Sequence, residues 1–427
     1  MHAPVRLVTG IAVFVAIVFV YTISAVSSRD PTSVFFTSRK GYEPRYSAIR
    51  REQAENYTLF YDPSNVVKAG ASAHRKLCVG IPSFVRHGRG HLQTAVGSLL
   101  QGLTPEERNE IYLMVFLAHS KPAAHPAYSE AWLSALTDDV FTYRFGVDRM
   151  QYIVDMEKRA KFGEKGVFDY SYLLDKCAEQ LTPYIAIFED DTLAMDGWYH
   201  RTIAAIHEAE KLAALQRTKP EFLYLRLFYT ESFLGWNREN WMTYLFNSIC
   251  VAAIPTLAIL AMRYARPTTK SSLVFFTQRT FVAIYATLAV VILLFFGLGR
   301  ITVLPRPQGV HEMSRFGCCG QALVFPNAKA VELVSYFKDR RVGYTDVLIE
   351  DFANEHDALR YAVTPSLVQH LGNKGSIEDD DGATGRWKLG VAEKIWSFAF
   401  EKLDAQKLRL EHEEVSKLRQ EATRSIT

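Results

Sequence analysis

An α/β domain on a mostly parallel sheet with helices on both faces, interrupted by a membrane-spanning helical hairpin, is the fold the sequence predicts. Three observations lead there. Short apolar runs bounded by turn residues alternate with stretches of helical periodicity, the pattern of a parallel α/β sheet. The alternation stops near residue 241 and resumes after 299, with two long uncharged segments between. A third uncharged segment lies close to the N-terminus.

The bulk composition narrows the class. The chain has 427 residues, 22% charged, with a formal net charge of +3, which gives no nucleic-acid footprint. Its 5 cysteines, Cys78, Cys177, Cys250, Cys318 and Cys319, form no CxxC pair and no Cys/His zinc spacing, arguing against a structural zinc site. Cys318 and Cys319 could each pair elsewhere in an oxidising compartment or stay as buried thiols, and their spacing does not decide between these.

Taken in order, residues 1–6 read as a cytoplasmic tail and 7–26 as a transmembrane signal anchor. At a rise of ~1.5 Å per residue the anchor reaches about 30 Å, enough for a bilayer and long for a cleaved signal peptide. Residues 27–74 are the expected lumenal stem, with Asn56-Tyr57-Thr58 as a glycosylation acceptor. The catalytic domain is expected in two parts, 75–241 and 299–386, around a hairpin at 242–298. The hairpin connector carries Arg263, Arg266, Lys270 and Arg279, and short basic loops stay cytoplasmic. Pro255 in the first span predicts a kink. Residues 387–427 form a C-terminal helical segment, with an apolar stripe of Ile395, Phe398, Ala399 and Leu403 and a solvated helix beyond Lys407.

Within the domain, strands are predicted at 77–81, 111–118, 138–145, 184–188, 221–228 and 321–325. Helices are predicted at 91–101, from Thr104-Pro105-Glu106-Glu107, and at 168–181, 197–215, 327–339 and 345–356, the last two opened by capping residues. The strand at 184–188 runs straight into Glu189, Asp190 and Asp191. Three adjacent carboxylates repel unless a cation sits among them. Ligands in such sheets bind beyond the carboxyl ends of the strands, and hard divalent cations favour carboxylate oxygens. A loop capping the next helix is the competing explanation. The equally acidic "IEDDDGATG" at 377–385 follows no strand and reads as a solvated loop.

Several blocks carry a family resemblance: "CVGIPSFVRHGRGHLQTAVGSLLQGL" at 78–103, "IAIFEDDTLAMDGW" at 185–198, "LRLFYTESFLGW" at 225–236 and "FGCCGQALVFP" at 316–326. With "DVLIEDFANE" and "SLVQHLGNKGS" downstream, the chain resembles the post-GPI-attachment GalNAc transferase family of the Golgi, in which a membrane hairpin interrupts the catalytic domain. It is more distantly similar to N-acetylglucosaminyltransferase IV, which shares the "GIPS-VR" and "QH-G" blocks.

The resemblance implies a GT-A fold and a UDP-sugar donor used with Mn²⁺ or Mg²⁺. It also implies a multi-pass Golgi membrane protein, its catalytic domain lumenal, acting on a GPI-anchored protein or glycolipid. The EDD triplet takes the place of the family's DxD-like motif. Asp191 is then the expected direct metal ligand, Asp190 faces ribose or metal, and Glu189 orients its neighbours. His370 is expected to complete the metal shell, a buried histidine bonded to backbone being the alternative. Pro82, Ser83 and Arg86 are expected at the nucleotide, although Arg86 and Arg89 read equally well as surface charges. An inverting transfer needs a carboxylate base, for which Glu350, then Asp346, then Asp351 are the candidates. The implied activity is transfer of GalNAc from UDP-GalNAc to the mannose of a GPI anchor. A GlcNAc or other hexose transferase acting on N-glycans and a non-enzymatic membrane scaffold are the rival readings.

Overall fold

A computed structural model describes residues 14, 18–84, 90–216, 221–231, 235–236, 238–265, 278–313, 319–371 and 395–424. The chain forms two compact units, Met1–Glu43 with Glu231–Arg306, and Pro44–Thr230 with Pro307–Thr427.

The first unit gathers apolar helices. Trp241–Ala265 runs as one helix through Pro255, and Gln278–Gly297 is a second. The stretch Trp241–Ala261 is long and apolar enough to cross a membrane, with mean hydropathy 1.9, and its side chains are exposed rather than packed in a core. Phe281–Gly297 and Val18–Ser27 are apolar but shorter among the described residues. Asp30 ties the ends together, accepting from Thr32 N at 2.8 Å and from Thr302 N at 2.7 Å. Trp236 Nε1 donates to Phe296 O at 2.9 Å.

The second unit is built on an eight-stranded sheet. Its strands are β1 (Leu77–Ser83), β2 (Ile111–Leu117), β3 (Asp139–Phe141), β4 (Tyr184–Phe188), β6 (Phe222–Arg226), β7 (Gly309–Glu312), β8 (Ala322–Pro326) and β9 (Leu359–Thr364). The order is β3-β2-β1-β4-β8-β6-β9-β7. Strands β3, β2, β1 and β4 pair in parallel, β8 runs antiparallel between β4 and β6, and β7 is an antiparallel edge. A separate ribbon pairs β5 (Thr192–Ala194) with β10 (Val368–His370).

Strand alternation explains why the sheet is buried on both faces. Val79, Ile81, Val115 and Phe188 enter one core, with the Tyr46–Leu59, Leu92–Leu100 and Trp198–Ala214 helices. Cys78, Met114, Phe116 and Ile187 enter the other, with the Phe162–Ala178, Asn327–Arg340 and Thr345–Glu355 helices. Cys78 and Cys177 form a disulfide from β1 to the helix beneath it, a pairing the sequence left open.

Several expectations change. The segment expected as a stem contributes the Tyr46–Leu59 helix to the main core, where Gly97 allows contact: a Cβ there would lie 2.2 Å from Ala54 O. Buried Arg50 on that helix donates to Ala194 O at 2.8 Å and Ser98 O at 2.7 Å. Asn56 is exposed on the same helix, and Thr58 is buried. The Asn327–Arg340 and Thr345–Glu355 helices have no side-chain N-cap, since Asn327 Nδ2 instead donates to Thr182 O at 2.9 Å. The C-terminal helix is Ala405–Arg424, preceded by a short turn that buries Phe400, so the expected apolar stripe is not one helical face. That helix is docked well past Lys407, with Glu411 on Arg201 at 2.9 Å and Arg419 on Glu110 at 3.1 Å. The acidic run at 377–385 lies outside the described residues.

Candidate active site

Strand β4 is apolar from Ile185 to Phe188 and ends where the carboxylates begin. Glu189 N donates to Gln321 O at 2.9 Å, and Thr192 Oγ1 donates to Glu189 O at 2.7 Å, forming a tight turn. The triplet therefore stands at the carboxyl ends of β1 and β4, where parallel sheets expose backbone and loops to ligands.

The β5–β10 ribbon then brings distant residues together. His370 pairs opposite Thr192, and Leu371 N donates to Asp191 O at 2.7 Å. In consequence Asp191 Oδ2 lies 3.1 Å from His370 Nε2, across 179 residues of chain. Gln369 fixes this strand, accepting from Ser397 N at 2.9 Å and donating to Glu401 Oε1 at 2.8 Å. Burial alone would raise the Asp191 carboxyl, but the His370 bond, with help from His91, holds it below its ordinary value. The Asp191 side chain keeps 22% of its surface exposed, so the site is open to a ligand. Asp191 Oδ1 and His370 Nδ1 are buried without a hydrogen-bond partner. A carboxylate oxygen and an imidazole nitrogen, each on a side chain with an unused polar atom, fit a Mn²⁺ or Mg²⁺ ion carrying phosphate oxygens.

Asp190 is held differently. Ser83 Oγ, fully buried at the end of β1, donates to Asp190 Oδ2 and lies 2.9 Å from His125 Nε2. His125 Nδ1 accepts from Ala127 N at 3.1 Å, so the ring proton sits on Nε2 and points at Ser83. This fixes the direction of the chain: His125 donates to Ser83, which donates to Asp190. Burial, with the Asp191 charge, pushes Asp190 up to about 7. Glu189 is raised well above the carboxylate range by burial, then by repulsion from Asp191, Asp346 and Asp190.

The three base candidates separate clearly. Glu350 is buried, with Oε1 accepting from Tyr224 at 2.5 Å and Arg226 at 3.1 Å, and Oε2 accepting from Arg360 at 2.6 Å. Both of its oxygens belong to the core ion network. Asp351 is exposed on the same helix. Asp346 is the one beside the triplet: Gly320 lies between them, and a Cβ there would be 3.5 Å from Glu189 Oε1 and 4.0 Å from Asp346 Cβ. Cys319 N reaches Asp346 Oδ2 at 3.3 Å, and Arg226 donates to Cys319 O, so the buried network shapes this loop.

Pro82 lies within β1 opposite Phe116, and Ser83 donates to Asp190. Arg86 and Arg89 fall outside the described residues. His91 and His125 were not singled out from sequence, because neither belongs to a spaced motif. Asp190, Asp191 and His370 do not converge as a three-ligand set. Among the described residues, the set whose ligating atoms lie within 4.8 Å of one another is Glu107, His200 and His412.

A family model described as GPI-N-acetylgalactosamine transferase PGAP4 matches residues 77–369, which spans both halves of the sheet and the Glu189–Asp191 triplet and ends one residue before His370. No curated protein gives a significant match to the chain.

Proposed function

The chain belongs to the GPI-N-acetylgalactosamine transferase family, and from that premise we propose that it moves GalNAc from UDP-GalNAc to a mannose of the GPI anchor. The observation that carries the site assignment is the Asp191–His370 contact at the end of β4. Asp191 and His370 would hold Mn²⁺ or Mg²⁺ with the donor diphosphate, and Asp190, oriented by Ser83, would face the ribose or the ion. The cation supplies charge neutralisation of the UDP leaving group. Asp346 takes the proton of the acceptor hydroxyl as its oxygen bonds to the anomeric carbon. The bond from that carbon to the UDP oxygen breaks, and the configuration inverts.

The mixed sheet, mostly parallel with β8 antiparallel inside it and β7 antiparallel at its edge, supports a GT-A reading. The outward apolar surface of Trp241–Ala261 supports a membrane hairpin, with its basic connector cytosolic and the domain in the Golgi lumen. A domain tethered this way meets a glycolipid head group near the bilayer.

The test uses full-length protein in detergent with Mn²⁺, a panel of UDP-sugars and a GPI-anchored acceptor. Transfer from UDP-GalNAc, abolished by EDTA and reduced at least ~100-fold in Asp191→Ala, is expected. Transfer from UDP-GlcNAc to N-glycans alone would favour the rival transferase. Turnover untouched by Asp191→Ala would remove the site assignment.

A further inference from the structure

A second polar cluster lies outside the strand-end carboxylates. Glu107 is the third residue of the Pro105–Asn109 helix, His200 lies in the first turn of Trp198–Ala214, and His412 is on the C-terminal helix. Their ligating atoms come within 4.8 Å of one another. The side chains are almost enclosed, with 1% exposure for Glu107, 2% for His412 and 9% for His200.

We infer that Glu107, His200 and His412 form a second metal site, for a zinc-class cation, that fastens the C-terminal helix to the catalytic domain. Three observations carry this. First, Glu107 Oε1 and His200 Nδ1 are buried without hydrogen-bond partners, so the cluster does not satisfy itself. Second, Asp196 Oδ1 lies 2.8 Å from His412 Nδ1, which turns Nε2 toward Glu107 Oε2, also at 2.8 Å. A carboxylate behind the far nitrogen of a ligating histidine is the usual outer support of a metal site. Third, the rings are held in place. A Cβ on Gly197 would lie 2.4 Å from His200 Cε1, and the His200 and His412 rings are 5.0 Å apart. One carboxylate oxygen and two imidazole nitrogens suit zinc, with a fourth position left for water. The oxygen-rich site at the end of β4 suits a harder ion.

The competing arrangement is a clasp without metal, in which a protonated His412 bridges Glu107 and Asp196. It explains both 2.8 Å contacts but leaves Glu107 Oε1 and His200 Nδ1 unpaired. Metal binding would displace the His412 Nε2 proton to solvent. No short motif reveals the set, because its members are spread from residue 107 to residue 412.

The full chain, purified with a tag free of histidine and without chelators, would be analysed for metal by mass spectrometry. One zinc per chain is expected in the parent and in Asp191→Ala, and little in Glu107→Gln and His200→Gln. After chelator treatment, stoichiometric Zn²⁺ should raise the melting temperature by several degrees in the parent only. If folded parent protein carries no zinc and its melting temperature ignores added Zn²⁺, the proton clasp replaces the metal. Zinc lost in Asp191→Ala but kept in His200→Gln would also overturn the assignment, by placing the ion at the β4 site.

Discussion

Replacing Glu350 separates a structural carboxylate from a chemical one. Its oxygens receive Tyr224 at 2.5 Å, Arg226 at 3.1 Å and Arg360 at 2.6 Å, and the Arg226 and Arg360 side chains are only 1% and 6% exposed. In Glu350→Ala, two buried guanidinium groups lose their shared counter-charge. Breaking a buried pair from one side costs about 3–5 kcal/mol, and the second arginine places this site toward the upper end. At about 2–4 °C per kcal/mol for domains of this size, the melting temperature should fall by roughly 10 °C. Glu350→Gln keeps the volume and one acceptor, so it should fall less and retain turnover within about tenfold. Differential scanning fluorimetry and a donor-turnover assay on the same preparations give both numbers. A Glu350→Gln protein with parental melting temperature and turnover down about 1,000-fold would instead make Glu350 the base.

Further outcomes follow from neighbouring observations. Asp346→Asn should lower kcat at least ~100-fold while leaving the melting temperature near the parent's, since the side chain is half-buried and makes no ion pair among the described residues. Cys177→Ala opens a loop closed across 99 residues and should cost about 2–5 kcal/mol, read as a lower midpoint in denaturant. His125 is pushed down to about 4 from an ordinary 6.5, first by burial and then by His119. Between those values the unfolded chain binds the proton more readily. Stability is therefore complete above pH 6.5 and is lost as the pH falls toward 4, by about 3 kcal/mol. Melting temperatures measured across that range should lose much of this slope in His125→Gln.

Much of the sheet was legible because its strands are buried on both faces. Tyr184–Phe188 and Ile111–Leu117 read as continuous apolar runs between breaks, and the Thr104–Glu107 capping box announced its helix. Strands β5 and β10 were not legible. At three residues each they carry no periodicity, and only their pairing across the fold places His370 against Asp191. The carboxylate triplet was recognisable from its position after β4. The division of labour among Glu350, Asp346 and Asp351 was not, because helical spacing says which residues share a face but not which face meets arginines. Arg226 and Arg360 lie on β6 and β9, so the ion network exists only once those strands pair. The docked C-terminal helix was hidden for a similar reason. Its mixed charges look solvated until Arg201, Asp196 and Glu110 arrive from elsewhere in the chain.

In the proposed function, Asp191 and His370 hold a divalent cation together with a UDP-sugar. Isothermal titration of UDP into the full-length protein, with and without Mn²⁺, tests it most directly. Binding should require Mn²⁺, weaken about 10- to 100-fold in His370→Ala and be lost in Asp191→Ala at unchanged melting temperature. UDP binding of equal strength in the parent and both variants, whether or not Mn²⁺ is present, would contradict it.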